Sequence, residues 1–217
     1  MITLGNVRND PYIIELLKAS DRQIAALGYT EHGIRHAEET VAAAGIICKG
    51  LELPQWETNV AMIASFLHDI GNLTGRLTHG QVGAAMITPI LLKLNAEPEE
   101  LSRILTAVSC HDDEDPVVSN AATAVVIMAD KSDVSRARVR PTADIKSDIH
   151  DRVNFAVLDR QIEVSKTKIA LRLTLDLAIA SSADYLDIFA VRMQAMRKSA
   201  MFLGCEFELS INGNKIF

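Results

Sequence analysis

From Asp10 to about Asp151, apolar residues recur at spacings of three and four, the period of helices that bury one face. Boundary residues mark off the segments. Asp10 followed by Pro11 reads as an N-cap and first helical residue. Gly28 closes that helix, whose apolar face is Ile13, Ile14, Leu16, Leu17, Ile24 and Leu27. The pattern predicts a second helix from near Thr30 to Lys49, before Gly50, and a third from near Pro54 to Ile70, ended by Gly71. Further helices are expected at about 79–94, 98–111, 119–134 and 142–151. Seven helices joined by short loops predict a bundle.

After Asp151 the period shortens to two, with β-branched and charged residues alternating over 152–158 and again over 161–175, which predicts strands. Residues 182–203 read as a helix, and 205–217 as a hairpin turned at Asn212-Gly213, a dipeptide that tolerates positive φ. The expected fold class is mainly α: a helical domain over 1–150 followed by a small α+β appendix over 151–217.

Composition narrows the function classes. A chain of 217 residues, 48% hydrophobic and 23% charged, has the ordinary balance of a globular protein with one main core. Its longest apolar runs, 60–67 and 121–129, fall well short of the roughly 20 residues a spanning helix needs, so no membrane partner is expected. Residues 1–11 have neither a basic start nor an apolar stretch, so the expected location is the cytoplasm. Cys48, Cys110 and Cys205 are scattered without CxxC spacing, which fits reduced thiols and argues against a thiolate cage. A net charge of −6, carried by the helical part, argues against a nucleic-acid polymer, because such binding rests on neutralising phosphates with Lys and Arg. A small anionic substrate held through a metal stays open.

The candidate chemistry lies in the histidines. His32 and His36 are four apart and on one helix would share a face, although such pairs more often have no ligand. His68 and Asp69 follow the apolar run before Gly71, where a helix end can offer an imidazole nitrogen and a carboxylate oxygen to one divalent ion; the dipeptide alone is usually a surface cap. Asp130 follows a second apolar run. Either it meets a cation there or it lies on the exposed edge of its helix.

Taken in order, His36, His68-Asp69 and Asp130 resemble the H…HD…D motif of the HD superfamily of metal-dependent phosphohydrolases, over roughly residues 25–140. The resemblance implies an HD-type helical bundle in which these four residues bind a divalent ion, with Asp69 able to bridge to a second. His79, in His79-Gly-Gln-Val-Gly83, and His111, in His111-Asp112-Asp113-Glu114, are similar to segments that supply a second metal in binuclear branches such as the HD-GYP group. The bland alternative is that His79 caps a helix and His111 ends one. The expected cofactor is one or two divalent ions, with Mn, Fe, Zn, Ni, Co and Mg undistinguished.

The chain departs from the HD-GYP pattern: Asn72 follows His68-Asp-Ile-Gly, His111 is single, and no Gly-Tyr-Pro segment occurs, which argues against cyclic di-GMP. His32 stands where some relatives place an acidic ligand. The resemblance implies hydrolysis of a phosphate ester or anhydride in a small molecule, with a nucleotide among the candidates, by attack of metal-bound hydroxide. Asp69, Arg76 and Lys131 are the expected catalytic residues, Arg76 and Lys131 holding phosphate oxygens in place of the cation that Asn72 replaces. Arg136 and Arg138 are further candidates, but with Arg140 they more often form a solvated face. Two other readings are kept: a di-iron HD-fold oxygenase and a non-catalytic nucleotide-binding sensor. Open edges on a small C-terminal sheet leave a homodimer open.

Overall fold

The first helices are started by side chains that accept the unpaired backbone N–H groups of their opening turns. In the computed structural model, which describes residues 1–141 and 143–217, Thr3 accepts from Asn6 at the head of α1 (Leu4–Arg8), a short helix the apolar pattern does not announce. Asp10 accepts from Tyr12 and Ile13, and with Pro11 it opens α2 (Pro11–Ala26) as expected. Then follow α3 (Ile34–Gly50), α4 (Gln55–Leu67), a 3-10 turn (Ile70–Thr74), α5 (His79–Lys93), α6 (Pro98–Cys110) and α7 (Ala121–Ser132).

Helix α4 is the centre of the bundle. Val60, Ala61, Ile63, Ala64, Ser65, Phe66 and Leu67 are all buried and Met62 is half-buried, so its second half is almost wholly enclosed, packed against α3, α6 and α7. Each fully buried Ile, Leu or Phe contributes about 1.5–3 kcal/mol relative to exposure, which anchors the C-terminal end of α4 firmly. That end carries His68 and Asp69, so both enter the interior without the freedom of a loop.

The C-terminal part comprises α8 (Ile149–Ala156), β1 (Val157–Ser165), β2 (Lys168–Leu175), α9 (Ser182–Phe202), β3 (Glu206–Ile211) and β4 (Asn214–Lys215). The strands form one sheet in the order β1-β2-β3-β4. Strands β1 and β2 pair antiparallel, β2 and β3 pair parallel with α9 as the crossover, and β3 and β4 form a hairpin. Asn212 and Gly213 take φ of 51° and 79° in that hairpin, as expected of this dipeptide. Helix α9 packs on α7 and β3, and one apolar cluster runs from Val7 in α1 to Ile211 in β3. The protein is mainly helical with a small α+β region. No helix among the described residues is long and apolar enough to cross a membrane.

Several sequence expectations change. The helix predicted from Thr30 begins at Ile34, because the chain is extended at Gly33 (φ −98°, ψ −153°). His32 therefore lies before the helix and does not share a helical face with His36. The third helix stops at Leu67, and Ile70 and Gly71 belong to the 3-10 turn. The segment 152–158, predicted as a strand, is helix α8 up to Ala156, capped by Asp148. Of the helix expected at 142–151, position 142 lies outside the described residues, and the observed helix starts at Ile149. The stretch 161–175 is two strands turned at Lys166-Thr167.

Candidate metal centre

Four histidines converge. His36 comes from the first turn of α3, His68 from the residue after α4, His79 from the first residue of α5 and His111 from the residue after α6. All four are essentially buried. The Nε2 atoms of His36 and His68 lie 3.1 Å apart, and those of His79 and His111 lie 3.0 Å apart.

Every one of these rings has its other nitrogen committed outward. Nδ1 of His68 donates to the Ser65 carbonyl (2.7 Å), that of His79 to the Arg76 carbonyl (2.8 Å) and that of His111 to the Val108 carbonyl (2.7 Å). Nδ1 of His36 donates to the Asp133 carboxylate at 2.7 Å. These acceptors have no proton to give, so in a neutral ring the proton sits on Nδ1 and Nε2 presents a lone pair. Paired lone pairs at such distances repel unless a proton or a metal cation lies among them.

Two carboxylates complete the cluster. Asp130, in the last turn of α7, places Oδ1 at 3.2 Å from His36 Nε2 and 3.6 Å from His68 Nε2. Asp69 faces both histidine pairs. Its Oδ2 lies 3.2 Å from His68 and 3.5 Å from His36, and its Oδ1 lies 3.3 Å from His79 and 3.8 Å from His111. Oδ2 is buried without a hydrogen-bond partner, an orphaned anionic oxygen at the centre of the lone pairs. Potential ligand atoms of His36, His68 and Asp130, and those of His68, Asp69 and His111, come within 4.8 Å of one another. The buried nitrogen and oxygen donors fit a divalent ion, and the set does not distinguish which one.

The charges fit that use. Burial opposes ionisation of Asp69, but the His68 charge and the closely facing imidazoles of His111, His68 and His79 hold its pKa well below the ordinary carboxylate value. Burial keeps His111 neutral, its pKa pushed below 6.5. His68 differs. Burial would depress it, yet the adjacent carboxylates of Asp69 and Asp130 win and lift it from 6.5 to about 10. In the metal-free protein its proton thus stabilises the fold fully below pH 6.5, and that contribution is lost as pH rises through about 10. A divalent ion has to displace this proton. Its apparent affinity, measured by competition with a chelator, is expected to rise about tenfold per pH unit across that window; an affinity flat with pH would contradict a protonated His68.

The two basic residues expected to act here lie at the cluster. Arg76 reaches Asp69 Oδ1 (3.5 Å), Asn72 Oδ1 (3.4 Å), His79 Nε2 (3.4 Å) and Asp112 Oδ2 (2.8 Å). Lys131 is buried and donates to the His111 carbonyl (2.8 Å), Asp130 Oδ2 (3.3 Å) and Asp112 Oδ1 (3.4 Å), using all three of its protons. Asn72 donates to Asp69 Oδ1 at 2.6 Å. His32 is buried with its ring centroid 5.6 Å from that of His36, bonded to the Thr30 carbonyl, and lies outside the ligand groups. Of the arginines read as a solvated face, Arg136 is exposed over Phe155 and Arg140 binds Asp21, whereas Arg138 is buried beneath the surface.

Asp133 escaped the sequence reading, and Asp112 entered it only as part of the His111 segment, without a role of its own. Asp133 lies three residues after Asp130, held by Arg35 at 3.0 Å, and orients His36 through Nδ1. The Asp-x-x-Asp spacing at the end of an apolar helix was its available signal. Asp133→Asn is expected to weaken divalent-ion binding by roughly 10–100-fold, read by chelator competition; an unchanged affinity would show that His36 needs no such partner. No family model matches the chain, and a search of curated proteins finds no match.

Proposed function

We propose that the protein is a metal-dependent phosphohydrolase of the HD type, acting on a phosphate ester or anhydride of a small molecule. The observation that supports this most is the convergence of four imidazole Nε2 atoms on Asp69, whose two oxygens face separate histidine pairs. His36, His68, Asp69 and Asp130 would hold one ion, and His79 and His111 with Asp69 a second. When bound, a divalent ion supplies an acidified water and a Lewis-acid contact to a phosphoryl oxygen.

The chain's own residues do the rest. Arg76, partly exposed beside the cluster, offers a planar guanidinium to nonbridging phosphate oxygens. Lys131 holds Asp130 and Asp112 in place from the buried side. Asn72 fixes the orientation of Asp69 by donating to Oδ1. The burial of all four imidazoles keeps bulk water from competing for their lone pairs. We place the protein in the cytoplasm, where its three free cysteines stay reduced.

The test is a screen of phosphorylated metabolites with protein reloaded with single divalent metals, following phosphate release. Metal-dependent release that a chelator removes is expected; no release from any phosphate compound with any metal would refute the proposal. A second reading draws on the same bridging position of Asp69: two irons held for oxidation of a substrate. It requires iron in the purified protein with the spectrum of a coupled pair, and a colourless protein active with zinc or manganese would exclude it.

A further inference from the structure

A cavity of about 320 Å³ opens beside the histidine cluster and meets it at His32 and Arg76, which both line it. Its walls come from both parts of the chain, since α9 supplies Phe189 and Arg192 and the 3-10 turn at Arg136–Arg138 supplies Arg138. The three arginines differ in how their charge is met. Arg76 is matched by Asp112 at 2.8 Å and Asp69 at 3.5 Å.

Arg138 is 3% exposed, and its Nε has no hydrogen-bond partner although it is buried. The carboxylate near it, Asp133, lies 3.9 Å away and is shared with His36, Arg35 and Arg160. Arg192 lies over the Phe189 ring at 4.6 Å, and among the described residues no carboxylate comes within 4.0 Å of it. Two guanidinium groups thus line one partly enclosed cavity without a close carboxylate of their own, and an anion that entered it would meet both. Two carboxylates also line the cavity, at the start of α8: Asp148, which accepts from the His150 backbone N–H at 2.7 Å, and Asp151; among the described residues neither forms an ion pair with Arg76, Arg138 or Arg192.

We propose that this cavity is a second phosphate subsite, in which Arg138 and Arg192 hold a phosphate group of the substrate other than the one cleaved at Arg76. The inference rests on the phosphohydrolase reading and narrows its substrate to a small molecule bearing two separate phosphate groups. Two guanidinium groups present forked donors to several oxygens and match a dianion, whereas a carboxylate would neutralise only one of them. The C-terminal α+β region then acts in recognition: the sheet and α7 hold α9, and α9 carries the specificity residue.

The test is calorimetric titration of the full chain, stripped of metal by a chelator, with inorganic phosphate and separately with acetate. Phosphate is expected to bind the parent with one-to-one stoichiometry and more tightly than acetate, and Arg192→Gln is expected to weaken it roughly tenfold or more, the scale of a lost charged hydrogen bond. Arg192→Met, which keeps the aliphatic stem over Phe189, should show the same loss if the Gln variant fails to fold. No phosphate binding by the parent, binding unchanged in both variants, or acetate binding as tightly as phosphate would each overturn the subsite. Because no metal and no turnover enter this measurement, it is decided separately from the hydrolysis screen, whose failure would strike the reaction instead.

Discussion

Asp69→Ala is expected to empty the cluster of metal and to lower turnover by about a thousandfold, the scale of removing a preorganised electrostatic stabiliser. Among the described residues no other carboxylate faces both histidine pairs, with one oxygen at 3.2 Å from His68 and the other at 3.3 Å from His79. Removing it separates the two halves of the site and leaves His68 without its main counter-charge. The His68 pKa should fall with it, so the metal-free variant should also lack the stabilisation below pH 6.5 that is expected of the parent. Asp69→Asn, close in shape, controls for packing. Elemental analysis, phosphate release and circular dichroism on the two variants decide the matter. Parental turnover in a folded Asp69→Ala protein would remove Asp69 from the site's chemistry.

Gly71→Ala is expected to destabilise the fold by about 3 kcal/mol or more, beyond the usual cost of one added methyl in a packed interior. A Cβ there would stand 1.9 Å from the His79 carbonyl oxygen and 2.5 Å from the Gly83 nitrogen, and both are backbone atoms that no side-chain rotation can move. The contact is the seat of α5 on the turn that follows Asp69, and it sets how far His79 stands from that carboxylate. The variant should therefore lose stability, read as a lower urea midpoint with unchanged slope, together with metal held through His79 and His111. An unchanged midpoint would show that α5 is free to shift and that its seat does not position the site.

The pattern of the chain was most legible where helices end. Asp10-Pro11 and Asn212-Gly213 act through local geometry, so two residues suffice to place a helix start and a hairpin turn. His68-Asp69 could be found because an enclosed apolar helix stops there, and Asp130 because it closes another. The pair His32 and His36 misled, since spacing alone does not say where a helix begins and Gly33 keeps the chain extended between them. The period of two over 152–158 is also compatible with a helical face, on which Val153 and Ala156 are buried, and the Asp148 cap tips the choice towards helix. The turn at Lys166-Thr167 lacks the glycine, proline or asparagine that would have marked it. Arg192, Asp112 and Asp133 gain their roles from partners remote in sequence, and no local pattern reports such contacts.

Metal content of the purified protein, measured by elemental analysis beside Asp69→Ala and His36→Ala, bears on the cluster itself before any substrate is known. At least one divalent ion per chain is expected in the parent, with a large loss in both variants while their helical content stays near parental. A folded parent protein that holds no stoichiometric metal after exposure to manganese, iron, zinc, nickel, cobalt and magnesium would contradict a metal centre at His36, His68, Asp69 and Asp130.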